Sequence, residues 1–426
     1  MAGALLGIGL LFLLLMIGAP MLVALLAAVM VSFTLGGQWG IIIPQSMVSG
    51  VSSFTLVALP LFVLAGILMN AGGISGRIFD FARSLVGWMR GGLAQINVLM
   101  SIFFGGMVGS STADLVGSGS ILIPQMKKEG YPAADAAAVT ASASGIGPLI
   151  PPSSPLILYS AVTGTSLGTL FLAGLIPGLL LGGVLMITVA IVARRQGWKS
   201  HAAFSWDKVI QSGGRSLLAF GLPVIIIGGL AAGWFTPSEA GAFGVVYAMF
   251  LSLFVYRWIG FRELYRVMGA AVQFNGEILL IVGLSYALGT SLSSAHVPAA
   301  LAGVIEIFTI GESTILILVG IMVLAIIAGM FLDPLIPVFV PIVLPTLLAF
   351  NIDLVQFGVL MVMAVVIGQL TPPVAIALII TSKIADCDQI RIFRANMPYF
   401  IAILLFTALL ILFPGLSTWF PAFLAD

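Results

Sequence analysis

Charge is what this sequence has least of. Only 7% of its 426 residues are Asp, Glu, Lys or Arg, against about 25% in an ordinary soluble domain. With 61% hydrophobic residues and a mean hydropathy of +1.23, the chain reads as a polytopic membrane protein. Its one cysteine, Cys387, excludes an intramolecular disulfide and any multi-cysteine metal site. The two histidines, His201 and His296, stand alone, which argues against zinc. No GxxxxGK[ST] phosphate loop occurs, so ATP hydrolysis is not expected. A net charge of +1 gives no footprint for nucleic acid. Ala2 to Gly36 follows no Lys or Arg and shows no small-residue cleavage site, so it reads as a retained membrane helix rather than a signal peptide.

Proline and glycine, by contrast, are concentrated. Residues 145–155 read GIGPLIPPSSP inside an apolar stretch. Each proline removes a donor and clashes with the preceding turn, so a helix here must break. A counterpart, VIGQLTPPV, stands at 366–374. Gly147, Pro151 and Pro152 align with Gly368, Pro372 and Pro373 at an offset of 221 residues (368 minus 147). The same offset carries Pro124 onto Pro345 and the apolar run 55–70 onto 276–291. Two repeats are therefore expected, 1–212 and 213–426.

The first repeat divides into scaffold helices within 1–70, an amphipathic surface arm at 74–88, a hairpin at 92–128, a broken helix at 133–162 and a last helix at 167–193. The second gives scaffold helices within 217–292, an arm at 297–309, a hairpin at 313–348, a broken helix at 354–382 and a last helix at 398–414. If each hairpin enters and leaves by one face, each half has five crossings, and the odd number inverts the second repeat. All 16 Lys and Arg residues then fall on one side, which the positive-inside rule makes cytoplasmic, with both termini outside. The fold class expected is all-α, with two inverted repeats, each holding a re-entrant hairpin and a discontinuous transmembrane helix. Lipid cannot hydrogen-bond exposed backbone, so such breaks must face protein, water or a ligand. Paired inverted breaks near the midplane point to a secondary transporter. Unwound carbonyls and hydroxyls suit a small hard cation, and helix N-termini suit a carboxylate.

Several segments also carry a family resemblance. Gly109–Asp114 (GSSTAD), Gly130-Tyr131, Ile146–Ser153 (IGPLIPPS) and Phe171–Gly178 (FLAGLIPG) resemble the large membrane subunit of TRAP transporters, the tripartite ATP-independent periplasmic family. Leu59–Asn70 (LPLFVLAGILMN), Thr236–Ala240 (TPSEA) and Thr371–Pro373 are similar as well, so the likeness runs over essentially the whole chain. It implies an elevator-type transporter of the ion-transporter kind in the bacterial inner membrane, driven by Na+ without ATP and moving a small organic acid. It also implies a separate small four-helix membrane subunit and a periplasmic substrate-binding protein as partners. Three positions depart from the family pattern: Ala375 and Ala377 stand where Gly and Asn are usual, and Ser154 replaces an aliphatic residue.

On this reading Ser110, Ser111 and Thr112 at the first hairpin tip, facing Gly145, Gly147 and Ile150, form one sodium site. Gly329 and Asp333 of the second hairpin, with Gly368, Gln369 and Thr371, form another. The bland alternatives are hydroxyls that cap helix ends and, for Asp333 before Pro334, a turn residue. Asp114, Pro152, Ser153, Ser154 and Pro373 are the expected substrate-facing set. Asp114 equally fits a cation ligand, a proton carrier or a helix cap, and Ser153 and Ser154 fit plain N-caps. A bulkier residue at Gly147 or Ser111→Ala is expected to weaken sodium-dependent uptake. Thr236 to Glu239 reads as a capping box, and the arginines of 77–90 and 257–266 as anchors to anionic membrane lipid. The competing reading is a stand-alone sodium- or proton-coupled di- or tricarboxylate symporter without a binding protein. An intramembrane enzyme lacks a paired catalytic Asp, a His-Glu zinc motif or a nucleophile–base pair, and a channel needs no matching inverted breaks.

Overall fold

A computed structural model describes residues 2–37, 41–198, 203–297, 300, 314–332 and 334–425, and every regular element among them is helical. The arm expected at 297–309 falls, but for residues 297 and 300, outside the described residues, as does Asp333. In the first half the helices are α1 Ala2–Met16, α2 Met21–Leu35, α3 Ile42–Val51, α4 Ala58–Ala71 and α5 Ile74–Val86. They are followed by α6 Gly92–Val108, α7 Ser111–Gly117, α8 Gly119–Lys128, α9 Ala133–Ala143, α10 Ser154–Thr163 and α11 Leu167–Gln196. The second half holds α12 Trp206–Ala231, α13 Pro237–Phe250, α14 Phe261–Ser294, α15 Thr314–Gly329 and α16 Ile336–Ala349. It ends with α17 Leu354–Gln369, α18 Ile376–Ala385, α19 Gln389–Leu412 and α20 Gly415–Ala425. Among the described residues, six helical runs are long and apolar enough to cross a membrane.

Local chemistry sets most of the boundaries. Gly18 at φ 84° and Pro20 divide α1 from α2. Thr236 accepts from the Glu239 amide while the Glu239 carboxylate accepts from the Thr236 amide at 2.7 Å, so the expected capping box starts α13. Asp353 accepts from the amides of Val355 and Gln356 at the start of α17, and Asp388 does the same for Ile390 and Arg391 at α19. The arm helix α5 buries Ile78 and Ala82 while Asp80 and Arg83 stay exposed, as its pattern requires. Ser84 and Ser212 hydroxyls meet at 2.8 Å, and the Phe81–Phe103–Phe220 rings cluster, which together tie α5 and α6 to α12.

Three features add detail to the segment reading. The repeat boundary at 212/213 lies within α12, because Ser205 is extended and nothing interrupts the 26 residues that follow. The region 42–51 and its continuation form two helices in the first half, whereas the second half carries one continuous 34-residue α14 across the same offset. The chain also ends in a further helix, α20, beyond the 398–414 segment.

Helices α4, α13 and α14, with α2 and α3, pack into one group. Small residues bring them close: a Cβ added at Gly241 would lie 2.9 Å from Leu61 Cβ, and one at Gly50 would lie 2.5 Å from Tyr286 Cβ. The hairpins and broken helices form a second group in which the two halves interlock. Helices α7 and α8 of the first hairpin pack on α18 of the second broken helix, and α10 of the first broken helix packs on α16 of the second hairpin. Thus each hairpin meets the broken helix of the other half as well as its own.

Candidate functional site

The first hairpin turns in two residues. Helix α6 ends at Gly109 in the left-handed region (φ 59°), Ser110 is extended, and α7 begins at Ser111. Thr112 and Asp114, expected in the tip, are therefore already helical. A side chain at Gly109 would run into the Pro152 carbonyl, and the Gly109 carbonyl accepts from the Ser154 amide at 3.2 Å. Glycine is required here both for the turn and for the backbone approach. The tip and the first break thus touch directly.

That break runs from a 3-10 turn at Ser144–Ile146 to Ser153. The Pro151-Pro152 and Pro372-Pro373 peptide bonds are both cis. Among the described residues, the carbonyls of Gly145, Gly147, Ile150 and Pro152 accept no hydrogen bond. Among the described residues, the carbonyls of Gly329 at the second hairpin and Thr371 at the second break likewise accept no hydrogen bond. The Thr371 hydroxyl donates to the Ile367 carbonyl at 2.6 Å. Buried backbone carbonyls without partners are rare, and a hard cation uses such oxygens.

The two glycine positions that align in the sequence differ in their surroundings. A Cβ at Gly368 would stand 2.5 Å from the carbonyl carbon and oxygen of Gly329. A Cβ at Gly147 would find its nearest neighbour, the Ser144 carbonyl, at 3.5 Å, which is ordinary contact. In the first half it is Gly105 of α6 that is tight, with an added Cβ 3.0 Å from Gly147 Cα. A methyl group at Gly147 therefore meets only ordinary contacts. Gly145 also packs tightly, since a side chain there would strike Val366 of α17.

Between tip, break and α14 lies a cavity of about 350 Å3. Ser110, Ser111, Thr112 and Ser154 line it from the first half, and Val365 and Gln369 from α17. Ser110 and Thr112 hydroxyls lie 3.0 Å apart, and the Ser111 hydroxyl donates to Gln369 Oε1 at 2.5 Å. Ser111 and Gln369, placed in separate sites from the sequence, are therefore joined. Ser153 is fully buried: its hydroxyl donates to the Pro148 carbonyl and accepts from the Leu156 amide at 3.2 Å. It is an N-cap, and only its neighbour Ser154 reaches the cavity. Asp114 is 1% exposed, outside the cavity lining, with both carboxylate oxygens unpartnered among the described residues. It makes no capping bond at α7. The Pro152 carbonyl faces the hairpin tip, whereas Pro373 is exposed. Ala375, preceding α18, is held at φ 50°, a region that favours the glycine usual in the resembled family.

Sequence reasoning passed over Phe274 and Glu277, which line the cavity from α14. The available signal was a lone carboxylate opening the apolar run 276–291. It also passed over Gly105, whose need for a missing side chain is visible only against Gly147.

Comparison with known proteins agrees with this architecture. The family described as "Tripartite ATP-independent periplasmic transporter, DctM component" matches residues 8–416. The sialic acid TRAP transporter large permease protein SiaM of Vibrio cholerae is 35% identical over 424 residues, covering 99% of this chain and 98% of that protein. The C4-dicarboxylate TRAP transporter large permease protein DctM of Pseudomonas aeruginosa is 36% identical over 373 residues, 87% of each. The 2,3-diketo-L-gulonate TRAP transporter large permease protein YiaN of Escherichia coli is 34% identical over 374 residues, again 87% of each. The crystal structure of the Alcanivorax borkumensis YdaH transporter, described as having an unusual topology, shares the fold with a TM-score of 0.63 at 14% identity, covering 88% of each chain. Interlocked hairpins and broken helices, a cavity between them and α14, and this sequence kinship over nearly the full length place the chain in the DctM family, as the large multi-pass membrane permease of a TRAP transporter and not an enzyme.

Proposed function

We propose that this permease carries a small organic acid together with sodium across the bacterial inner membrane by an elevator mechanism. The hairpins and broken helices move as one body against the group formed by α4, α13 and α14. The observation that carries the reading is the pair of hairpin-to-break contacts, each leaving unbonded carbonyls beside hydroxyls, joined through Ser111 and Gln369. Such oxygen-rich, water-poor pockets fit Na+. One ion site takes the Gly145, Gly147, Ile150 and Pro152 carbonyls with the Ser110–Thr112 hydroxyls. The other takes the Gly329, Gly368 and Thr371 region, with Asp333 beside it in sequence. Bound cations at these positions attract the substrate carboxylate, which the hydroxyls of Ser110, Thr112 and Ser154 orient in the cavity.

The cytoplasmic side is the one carrying all 16 Lys and Arg residues, with both termini periplasmic. Arg77, Arg83, Lys208 and Arg215 line a cleft of about 760 Å3 beside the arm helix, which suits anionic lipid headgroups. A small four-helix membrane subunit and a periplasmic binding protein complete the system. Reconstitution into proteoliposomes tests the whole reading. Uptake is expected only with an inward sodium gradient, the small subunit and the loaded binding protein all present. Equal uptake with potassium replacing sodium refutes the coupling, and equal uptake without the binding protein favours the stand-alone symporter.

A further inference from the structure

The charge in the substrate cavity has the wrong sign for a simple acid. Among the described residues that line it there is no Lys, Arg or His, and the one charged side chain is Glu277. Glu277 sits midway along the 34-residue α14, the depth at which an ionisable side chain calls for a partner. It is exposed and takes part in no hydrogen bond or ion pair among the described residues. One turn earlier on the same face, at the i, i+3 spacing, Phe274 also lines the cavity. Ile278 and Ile281 continue that stripe and keep it apolar. A carboxylate beside an aromatic ring in an otherwise apolar wall is the constellation that recognises an ammonium group, the carboxylate by charge and the ring by its negative face. Hydroxyls face it across the cavity, from Ser110, Thr112 and Ser154.

Resting on the transport reading above, we propose that the cargo is a zwitterion, an organic acid that also carries a quaternary ammonium or a protonated amine. Its cationic group docks against Glu277 and Phe274 on α14, and its carboxylate faces the hydroxyls of the hairpin and α10. A cavity of about 350 Å3 holds a molecule of this size, from an amino acid to a small betaine. A dicarboxylate offers nothing to Glu277 and is repelled by it. Selectivity thus comes from a negative element that excludes plain acids as well as an attractive one.

Matched probe pairs isolate the charge. Glycine betaine and 3,3-dimethylbutanoate differ by nitrogen for carbon, and L-glutamate and glutarate by one ammonium group. Binding is measured by calorimetry on the full chain in lipid nanodiscs, in sodium and in potassium. At least one zwitterion is expected to bind at least about tenfold more tightly than its partner. That preference should vanish in Glu277→Gln, weaken in Phe274→Leu and persist in part in Glu277→Asp, all three eluting as the native protein does. Equal binding within both pairs, preference for the acids without nitrogen, no binding of either zwitterion, or an unchanged preference in Glu277→Gln overturns the inference. A preference for the zwitterion that is the same in potassium sustains it and refutes the sodium coupling instead.

Discussion

Gly147 and Gly368 are the same position of a duplicated sequence, yet alanine should act very differently at the two. At Gly368 the new methyl would sit 2.5 Å from the Gly329 carbonyl carbon and oxygen, where ordinary contact begins at 3.4 Å. Hairpin and broken helix would have to part by about 1 Å, and overpacking of this kind costs about 1–3 kcal/mol. If that cost falls on the ion-loaded, closed arrangement, sodium affinity drops by about 5- to 150-fold, since each 1.4 kcal/mol is roughly tenfold. At Gly147 the backbone is helical (φ −52°, ψ −48°) and the nearest atom to an added Cβ is 3.5 Å away. Gly147→Ala should therefore leave sodium affinity within about twofold, because alanine fits both the conformation and the space. The assay is sodium-dependence of uptake in proteoliposomes, with thermal unfolding of each variant measured in detergent. A silent Gly368→Ala, or a Gly147→Ala as damaging as Gly368→Ala, refutes the argument that the second hairpin-to-break contact shapes an ion site.

Other outcomes follow from single contacts. A double-mutant cycle on Ser111→Ala and Gln369→Leu should give a coupling of about 1 kcal/mol in unfolding or sodium binding, and additive effects would separate the two sites again. Ala375→Gly should raise thermal stability by about 0.5–1 kcal/mol by relieving the left-handed backbone at the start of α18, and a lowered melting temperature would contradict this. Thr236→Ala should lower stability by about 1 kcal/mol without altering uptake per folded molecule, since the capping box lies away from the cavity. Calcium or zinc in place of sodium should not support uptake.

The architecture was legible where neighbouring residues dictate it. The proline-glycine runs at 145–155 and 366–374 announced both breaks, and the offset between them announced the duplication. The capping box at Thr236 stands where its pattern puts it, and the amphipathic pattern opening at residue 74 is helical over Ile74–Val86. The site was legible only as a list of segments. Ser111 and Gln369 lie 258 residues apart, and no local pattern announces that a hairpin tip of one half bonds to the broken helix of the other. Ser153 and Ser154 look alike in sequence, yet one is spent as a cap and the other faces the cavity. Glu277 drew no notice because a single carboxylate carries no periodicity.

By itself, the sequence determined that this is a duplicated, helical membrane protein with two interrupted spans. Those properties follow from hydropathy over a helix length, from proline's missing amide and from caps that act within a few residues. Only the tertiary structure decided which glycine has backbone pressed against it, which hydroxyls meet across the two halves, and that a carboxylate and a phenyl ring of α14 close the cavity. These are distances between elements remote in the chain, set by how helices pack.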